Sequence, residues 1–293
     1  MSTLETTDRV VIAPNGTLFD LPEIVALEEG LFAEAGLDVA FADEQAAREG
    51  EIEASPLNRL KESLYEQGQA DVYNLCEWGG IDRLERGGRG GRIAYLRPAV
   101  VAQALITFDP ELDEVHDLGN IPVGINEFTG SHYTALHLLE GTLPRDQVKL
   151  EHIGSPAVRL ERVRSGESRA VMLMEPFIST ALQQGGKVLA TYFYRGVEVI
   201  APNLDDERRE RFISVVNTAV DRINADPAKY RERIASRVGD ALAPEELRDD
   251  YYRYAHIVPF TEKRFEESYA WMRSWELTEG QNAFDALLVR RER

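Results

Sequence analysis

The first 43 residues carry a strand–helix–strand pattern that restricts the fold more than any other feature of the chain. Val10–Ala13 is a short run rich in β-branched residues, and Pro14–Thr17 has the residues of a turn. Asp20 precedes Pro22 as an acidic residue does at a helix start. Apolar residues then recur at helical spacing and afterwards at alternate positions: Ile24, Leu27, Leu31 and Phe32, then Leu37, Val39 and Phe41. The pattern predicts a βαβ unit and a parallel sheet.

Short apolar runs and helical patterns alternate along the rest of the chain, which predicts parallel strands covered by helices and an α/β fold. The predicted strands are 72–76, 93–96, 100–106, 121–125, 148–153, 170–174 and 188–191, and an amphipathic helical pattern begins at Asp205. A length of 293 residues fits two lobes. We predict lobe I at 1–108, lobe II at 109–190, and a return to lobe I with C-terminal helices at 191–293.

Composition excludes several classes of partner. Apolar residues make up 43% of the chain, but no uninterrupted apolar run approaches the roughly 18 residues of a membrane span. The formal net charge of -18 opposes binding to nucleic acid, and the densest basic stretch, 83–92, is interrupted by Glu85. Cys76 is the only cysteine, so no intrachain disulfide can form. Because Met1–Asp8 has no features of an export signal, a cytoplasmic location is expected.

Several segments occur in the order typical of one known family. They are Ala13–Gly16, Glu29–Val39, Gly68–Val72 and Trp271–Met272. With them the chain resembles the type II periplasmic-binding-protein-like proteins, specifically the NMT1/THI5-like (nitrate/sulfonate/taurine substrate-binding-like) group. The resemblance implies a two-lobed fold with a ligand cleft between the lobes and C-terminal helices. It implies no cofactor, and a small-molecule ligand that is anionic or aromatic.

Ligands of open α/β sheets bind beyond the carboxyl ends of the strands, where helix N-termini offer free N–H groups. Three loops qualify, at 14–19, 76–80 and 127–133. In addition, Glu175 ends another predicted strand of lobe II, and Tyr194 lies near the predicted return to lobe I. The candidate ligand-binding residues are Asn15, Gly16, Thr17, Phe19, Trp78, Thr129, Gly130, Ser131, Glu175 and Tyr194. Each also has a purely structural interpretation, as a turn residue, a helix cap or a core aromatic.

Cys76 is the candidate nucleophile, because it ends a predicted strand before Glu77-Trp78-Gly79. His132 in the opposing loop would act as acid and base, with Glu77 or Glu127 orienting its imidazole. The alternatives are that Cys76 lines the ligand site without reacting, or that it only fills space in the core. No metal site is expected, because His132 and His137 lack the spacing of a zinc-binding helix.

Two functions remain open. The first is a cytosolic lyase or hydrolase of this fold, acting on a small anionic or aromatic substrate and dependent on Cys76. The alternative is a non-catalytic solute-binding protein, of the kind that serves ABC transporters, for a small organic anion or a thiamine-precursor-like molecule. The family's desulfinase and pyrimidine-synthase motifs are incomplete here, since Cys76 stands alone. A second copy of the chain, in a homodimer, is the other candidate partner.

Overall fold

The structure is a computed structural model that describes residues 9–43, 60–278, 280 and 282–288. The strands are β1 (Arg9–Ile12), β2 (Asp38–Phe41), β3 (Val72–Cys76), β4 (Arg92–Thr107), β5 (Pro122–Ile125), β6 (Lys149–His152), β7 (Ala170–Leu173), β8 (Lys187–Ile200) and β9 (Tyr252–Tyr254). The helices are α1 (Thr17–Glu28), α2 (Leu31–Glu34), α3 (Leu60–Glu66), α4 (Glu77–Arg86), α5 (Gly130–Glu140), α6 (Pro156–Ser165), α7 (Phe177–Gln183), α8 (Asp206–Ala225), α9 (Arg231–Ala235), α10 (Glu262–Ser274) and α11 (Phe284–Leu287). Strands and helices alternate, as the α/β prediction requires.

The chain divides into two compact units. Unit 1 takes the described residues of Met1–Pro98, Val197–Asn224 and Ala255–Arg293, and unit 2 takes Ala99–Gly196 and Ala225–Tyr254. The chain passes into unit 2 within β4 and returns within β8. These boundaries differ from the predicted lobes, because the crossings occur inside long strands and because residues 225–254 belong to unit 2.

Unit 1 contains the predicted βαβ opening. β1 pairs in parallel with β2 and with β3, in the order β2-β1-β3-β8. Val10 and Ile12 are buried in alternation with their neighbours, which is the period of a strand with one face on the core. Gly30 has a φ of 74° and links α1 to α2, a left-handed conformation that glycine adopts without a steric penalty. The spacing of Leu57, Leu60 and Leu64 in the sequence also predicts one helical face, of which Leu57 lies outside the described residues.

Unit 2 is a sheet covered on both faces. Its strand order is β4-β7-β5-β6, in which β5 pairs in parallel with β6 and β7, while β4 pairs antiparallel with β7 and β9. Leu105 and Met172 pack in one apolar cluster with residues of β5 and α5. Their sequence neighbours Ile106 and Val171 pack in a second cluster with residues of α6 and α7. Because adjacent residues of a strand point to opposite faces, the two clusters lie on opposite sides of the sheet.

Two predicted elements are wrong in detail. The strands predicted at 93–96 and 100–106 form one strand, β4, because the charged side chain of Arg97 is neutralised in the interior and the Pro98 carbonyl accepts from Ala255 N at 3.0 Å. Helix α1 begins at Thr17, before Asp20, whose carboxylate instead accepts from the main chain of the preceding turn.

Within the described ranges, no helix is both long and apolar enough to cross a bilayer.

Candidate functional site

In unit 1, α1 and α4 begin at the carboxyl ends of the parallel strands β1 and β3. Asn15 joins the loop after β1 to β3 and α3: its Nδ2 donates to Asn74 Oδ1 at 2.6 Å, and its Oδ1 accepts from Lys61 Nζ at 3.1 Å. Gly16 precedes Thr17 at the start of α1 with a φ of 137°, and Phe19 is half-buried in the first turn. The amide of Asn15 therefore fixes its own loop, as its interpretation as a turn residue predicts.

A buried ionic network lies beneath this loop. Arg97 donates to Glu23 at 2.9 Å, to Glu198 at 2.8 Å and to the carbonyl of Phe19 at 2.9 Å. Asp20 lies 3.6 Å from the same guanidinium and accepts from Asn15 N at 2.7 Å. All four side chains are almost fully buried.

The network holds more carboxylates than its guanidinium can neutralise. Burial raises the pKa of Glu23 to about 7 and that of Glu198 to about 8, although Arg97 acts in the opposite direction. This network was not predicted from the sequence. The one available signal was Arg97 itself, a charged residue between two apolar runs of strand character.

The candidate catalytic residues of unit 1 lie in the core. Cys76 ends β3 and is only 5% exposed, and a Cβ added to Gly79 of α4 would lie 3.1 Å from its Sγ. Glu77 accepts a hydrogen bond from Arg264 Nε, and burial raises its pKa. Trp78 is buried with its ring centroid 5.8 Å from that of Trp271. The Glu77 carboxylate is thus engaged by α10, and these positions favour the packing interpretation.

We expect the Cys76 thiol to react slowly with a bulky disulfide reagent such as DTNB in the native protein. Its burial hinders attack on the reagent, and access requires local or global unfolding. The rate should be more than about 10-fold below that of the protein in denaturant. Absorbance of the released thiolate measures both rates. Fast native reaction that a bound ligand suppresses would instead support the predicted nucleophile.

In unit 2, α5 begins at the carboxyl end of β5 with a tightly bonded loop. Thr129 is the N-cap: its hydroxyl accepts from Ser131 N at 3.2 Å and donates to the carbonyl of Asn126 at 2.7 Å. Ser131 Oγ accepts from Asn126 N at 3.0 Å. A Cβ at Gly130 would lie 2.6 Å from the Tyr194 hydroxyl, so glycine permits the buried tyrosine to approach the helix start. The structure therefore brings four predicted residues of this unit together.

His132 supports the same loop. Its Nδ1 accepts from Phe128 N at 3.1 Å, and its ring is stacked on Tyr133. Burial, with a smaller effect of the nearby His152, lowers the pKa of His132 to about 4, so the imidazole is neutral at pH 7. Phe128 has a φ of 54°, a left-handed conformation that is uncommon for residues other than glycine. His132 thus holds a strained loop residue in place.

Among the described residues, Glu175 makes no hydrogen bond or ion pair with this loop. It follows β7 and is 1% exposed, and its carboxylate accepts from both the main-chain N and the hydroxyl of Ser179 on α7, at 3.1 and 2.7 Å. Burial raises its pKa to about 7. These contacts are those of a capping residue. Cys76 and His132 belong to different units, so their pairing stays a prediction.

Among the described residues, no three His, Cys, Asp or Glu side chains are arranged to hold a metal ion. The donor groups of the candidate loops are instead hydroxyls, amides and main-chain N–H groups. Such groups suit a small organic ligand better than a transition metal.

The fold is similar to several solved structures. The alkanesulfonate-binding protein SsuA from Xanthomonas axonopodis pv. citri, bound to MOPS, matches with a TM-score of 0.75 and 14% identity over 97% of this chain and 99% of its own. The periplasmic aliphatic sulphonate binding protein SsuA from Escherichia coli matches with a TM-score of 0.73 and 13% identity, over 98% of this chain and 94% of its own. The desulfurization enzyme DSZB matches with a TM-score of 0.64 and 14% identity, and the match covers 96% of each chain.

A scan against models of protein families and a search of curated proteins both give no match. At these identities the structural matches concern the fold, and they cover nearly the whole length of both partners. The chain therefore has the α/β fold of the type II periplasmic binding proteins, as the sequence resemblance predicts.

Proposed function

We propose that the protein is a solute-binding protein for a small organic anion, with the start of α5 as the anion-binding element. The observation that carries this proposal is the arrangement of Thr129, Gly130 and Ser131. Helix α5 has no acidic residue in its first turn, so its positive N-terminal end is not neutralised there. By contrast, α1 and α4 of unit 1 carry Asp20 and Glu77 in theirs.

Preorganisation of the loop supports the same function. The two hydroxyls lie 2.8 Å apart and bond within the loop, while His132 holds the strained Phe128. A loop that is already ordered loses little entropy when a ligand binds. The alkanesulfonate- and sulphonate-binding proteins of this fold make a sulfonate the first ligand to test. Cytoplasmic placement and a homodimer stay predictions from the sequence.

The test is isothermal titration of the purified chain with 1-butanesulfonate, in comparison with butyrate and butylamine. We expect saturable binding of the anions and none of the amine. Gly130→Ala should lower the affinity by about 10-fold or more, because the new Cβ collides with the Tyr194 hydroxyl at the helix start. Gly141→Ala is the matched control at the other end of α5, where a Cβ meets nothing within 4 Å.

Absence of saturable binding to any of the anions would contradict the proposal, as would equal losses in the two glycine variants. Mass spectrometry of the same mixtures separates binding from catalysis. Conversion of the sulfonate or of a sulfinate, lost in Cys76→Ser, would instead support the lyase or hydrolase hypothesis.

A further inference from the structure

Arg159 is a buried cation at the carboxyl edge of the unit 2 sheet. It lies in the first turns of α6, after the N-cap Ser155, and only 2% of it is exposed. Its Nε donates to the carbonyl of Met172 on β7 at 2.7 Å, and its Nη1 donates to the carbonyl of Gly154. Both acceptors are neutral main-chain groups.

Within the described part of the chain, no carboxylate lies within ion-pair distance of Arg159. The acidic residues nearest in sequence serve other arginines: Glu161 bonds Arg164, and Glu151 bonds Arg162. Desolvation lowers the pKa of Arg159 to about 9, which still leaves it charged at neutral pH. A buried charge without a counter-ion is costly, and such groups normally acquire an anionic partner.

The guanidinium retains donors for such a partner. An arginine side chain has five N–H donors, and two hydrogen bonds from Arg159 occur within the described part of the chain. The preceding loop offers access: Gly154 is half-buried, Ser155 is exposed, and a Cβ added to Gly154 would meet nothing within 4 Å. Gly154 has a φ of 100°, so no side chain is favoured there to fill that space.

Arg159 lies at the same edge of the sheet as the start of α5. Ile153 N and Gly154 N both donate to the carbonyl of Ile125, the last residue of β5, at 2.8 and 3.3 Å. Residues 126–129 then lead directly into α5. A local cation is also required on general grounds, because a protein with a net charge of -18 repels an anionic solute at long range.

We propose that Arg159 binds the acidic group of the solute, an oxyanion of the sulfonate or sulfate type, through its free guanidinium edge. That the oxyanion belongs to an organic solute rests on the proposed function, whereas binding of the oxyanion itself by Arg159 does not. The planar fork donates two parallel hydrogen bonds to two oxygens of one oxyanion, which a lysine ammonium cannot reproduce. Arg159 is thus the residue that selects anionic over neutral solutes.

The test follows the unfolding temperature of the full chain as sulfate replaces chloride at constant ionic strength. Sulfate also stabilises folded proteins in general, because it is excluded from their surface, so the titration stays in the low millimolar range, where that general effect is small. In that range we expect a saturable rise in the wild-type protein, because an anion that binds only the folded state raises its stability by mass action. The rise should be absent in Arg159→Gln and reduced in Arg159→Lys. Arg162→Gln, on the same helix but paired with Glu151 and partly exposed, should retain the full rise.

Affinity for 1-butanesulfonate gives a second readout, with an expected loss of about 10- to 100-fold in Arg159→Gln. Wild-type protein that responds equally to sulfate and chloride would overturn the inference, and so would an unchanged response in both Arg159 variants. If Arg159→Gln fails to fold, the comparison of Arg159→Lys with the wild-type protein still tests the inference, because the lysine variant should show a smaller response to sulfate. Loss of sulfonate binding in Gly130→Ala but not in the Arg159 variants would refute this inference alone. A sulfate response dependent on Arg159 without sulfonate binding would refute the proposed function alone.

Discussion

Replacement of Arg97 by methionine is expected to lower the free energy of unfolding by about 3–5 kcal/mol, as removal of one partner from a buried ion pair does. The substitution leaves Asp20, Glu23 and Glu198 in the interior without the guanidinium that bonds them. It also frees the carbonyl of Phe19, which ties α1 to β4. Urea unfolding followed by far-UV circular dichroism measures the loss.

Arg92→Met is the matched control, because Arg92 lies at the exposed start of the same strand. It should change the free energy of unfolding by no more than about 0.5 kcal/mol.

The pH dependence of stability checks whether the buried network causes the loss. The folded-state pKa values of Glu23 and Glu198, about 7 and about 8, lie above the ordinary value of 4.5. Between pH 4.5 and these folded-state pKa values, the folded chain therefore binds more protons than the unfolded chain.

Stability from these two carboxyls is complete below pH 4.5 and is lost as the pH rises through 7 and 8. Loss of the guanidinium should raise both pKa values further, so Arg97→Met should lose stability more steeply above neutral pH than the wild-type protein. Glu198→Gln should flatten the dependence, because the amide carries no charge at any pH. An Arg97 variant with wild-type stability at pH 8 would contradict the assignment of a buried network.

Trp78→Ala is expected to cost about 3–5 kcal/mol of unfolding free energy, the usual range for removal of a large buried aromatic side chain. Trp78 is 2% exposed and packs against Trp271 of α10. The truncation would open a cavity between α4 and α10, and neighbouring side chains refill such a cavity only in part. The measurement is again equilibrium unfolding in urea.

Trp275→Ala is the control, because this tryptophan at the end of α10 is only half-buried and a smaller loss is expected. Trp78→Phe distinguishes the core role of Trp78 from its predicted role in ligand binding. If Trp78 is a core residue, Trp78→Phe should lower the free energy of unfolding while the affinity for 1-butanesulfonate stays unchanged. Lower affinity with unchanged stability would show that Trp78 contacts the ligand.

Local patterns in the sequence were sufficient for the class of fold. The alternation at Leu37, Val39 and Phe41 and the helical spacing before it depend only on which face of an element is buried. The α/β prediction and the βαβ opening are confirmed for that reason. Hydroxyl residues before a helical pattern also indicated an N-cap near 129–131, but only the structure decides that the cap is Thr129, with Ser131 in the first turn of α5.

The tertiary structure decided the partners of charged and aromatic side chains. Glu77 bonds Arg264, Arg97 bonds Glu198, and Trp78 packs on Trp271, each across about a hundred residues or more of chain. Such pairs leave no periodic signal, because the contact depends on how distant elements pack and not on local spacing. That Arg159 has no acidic partner among the described residues is likewise a property of its surroundings in space. The sequence by itself thus determined which elements form, whereas packing determined which of the polar residues on them stabilise the core and which are free to bind a solute.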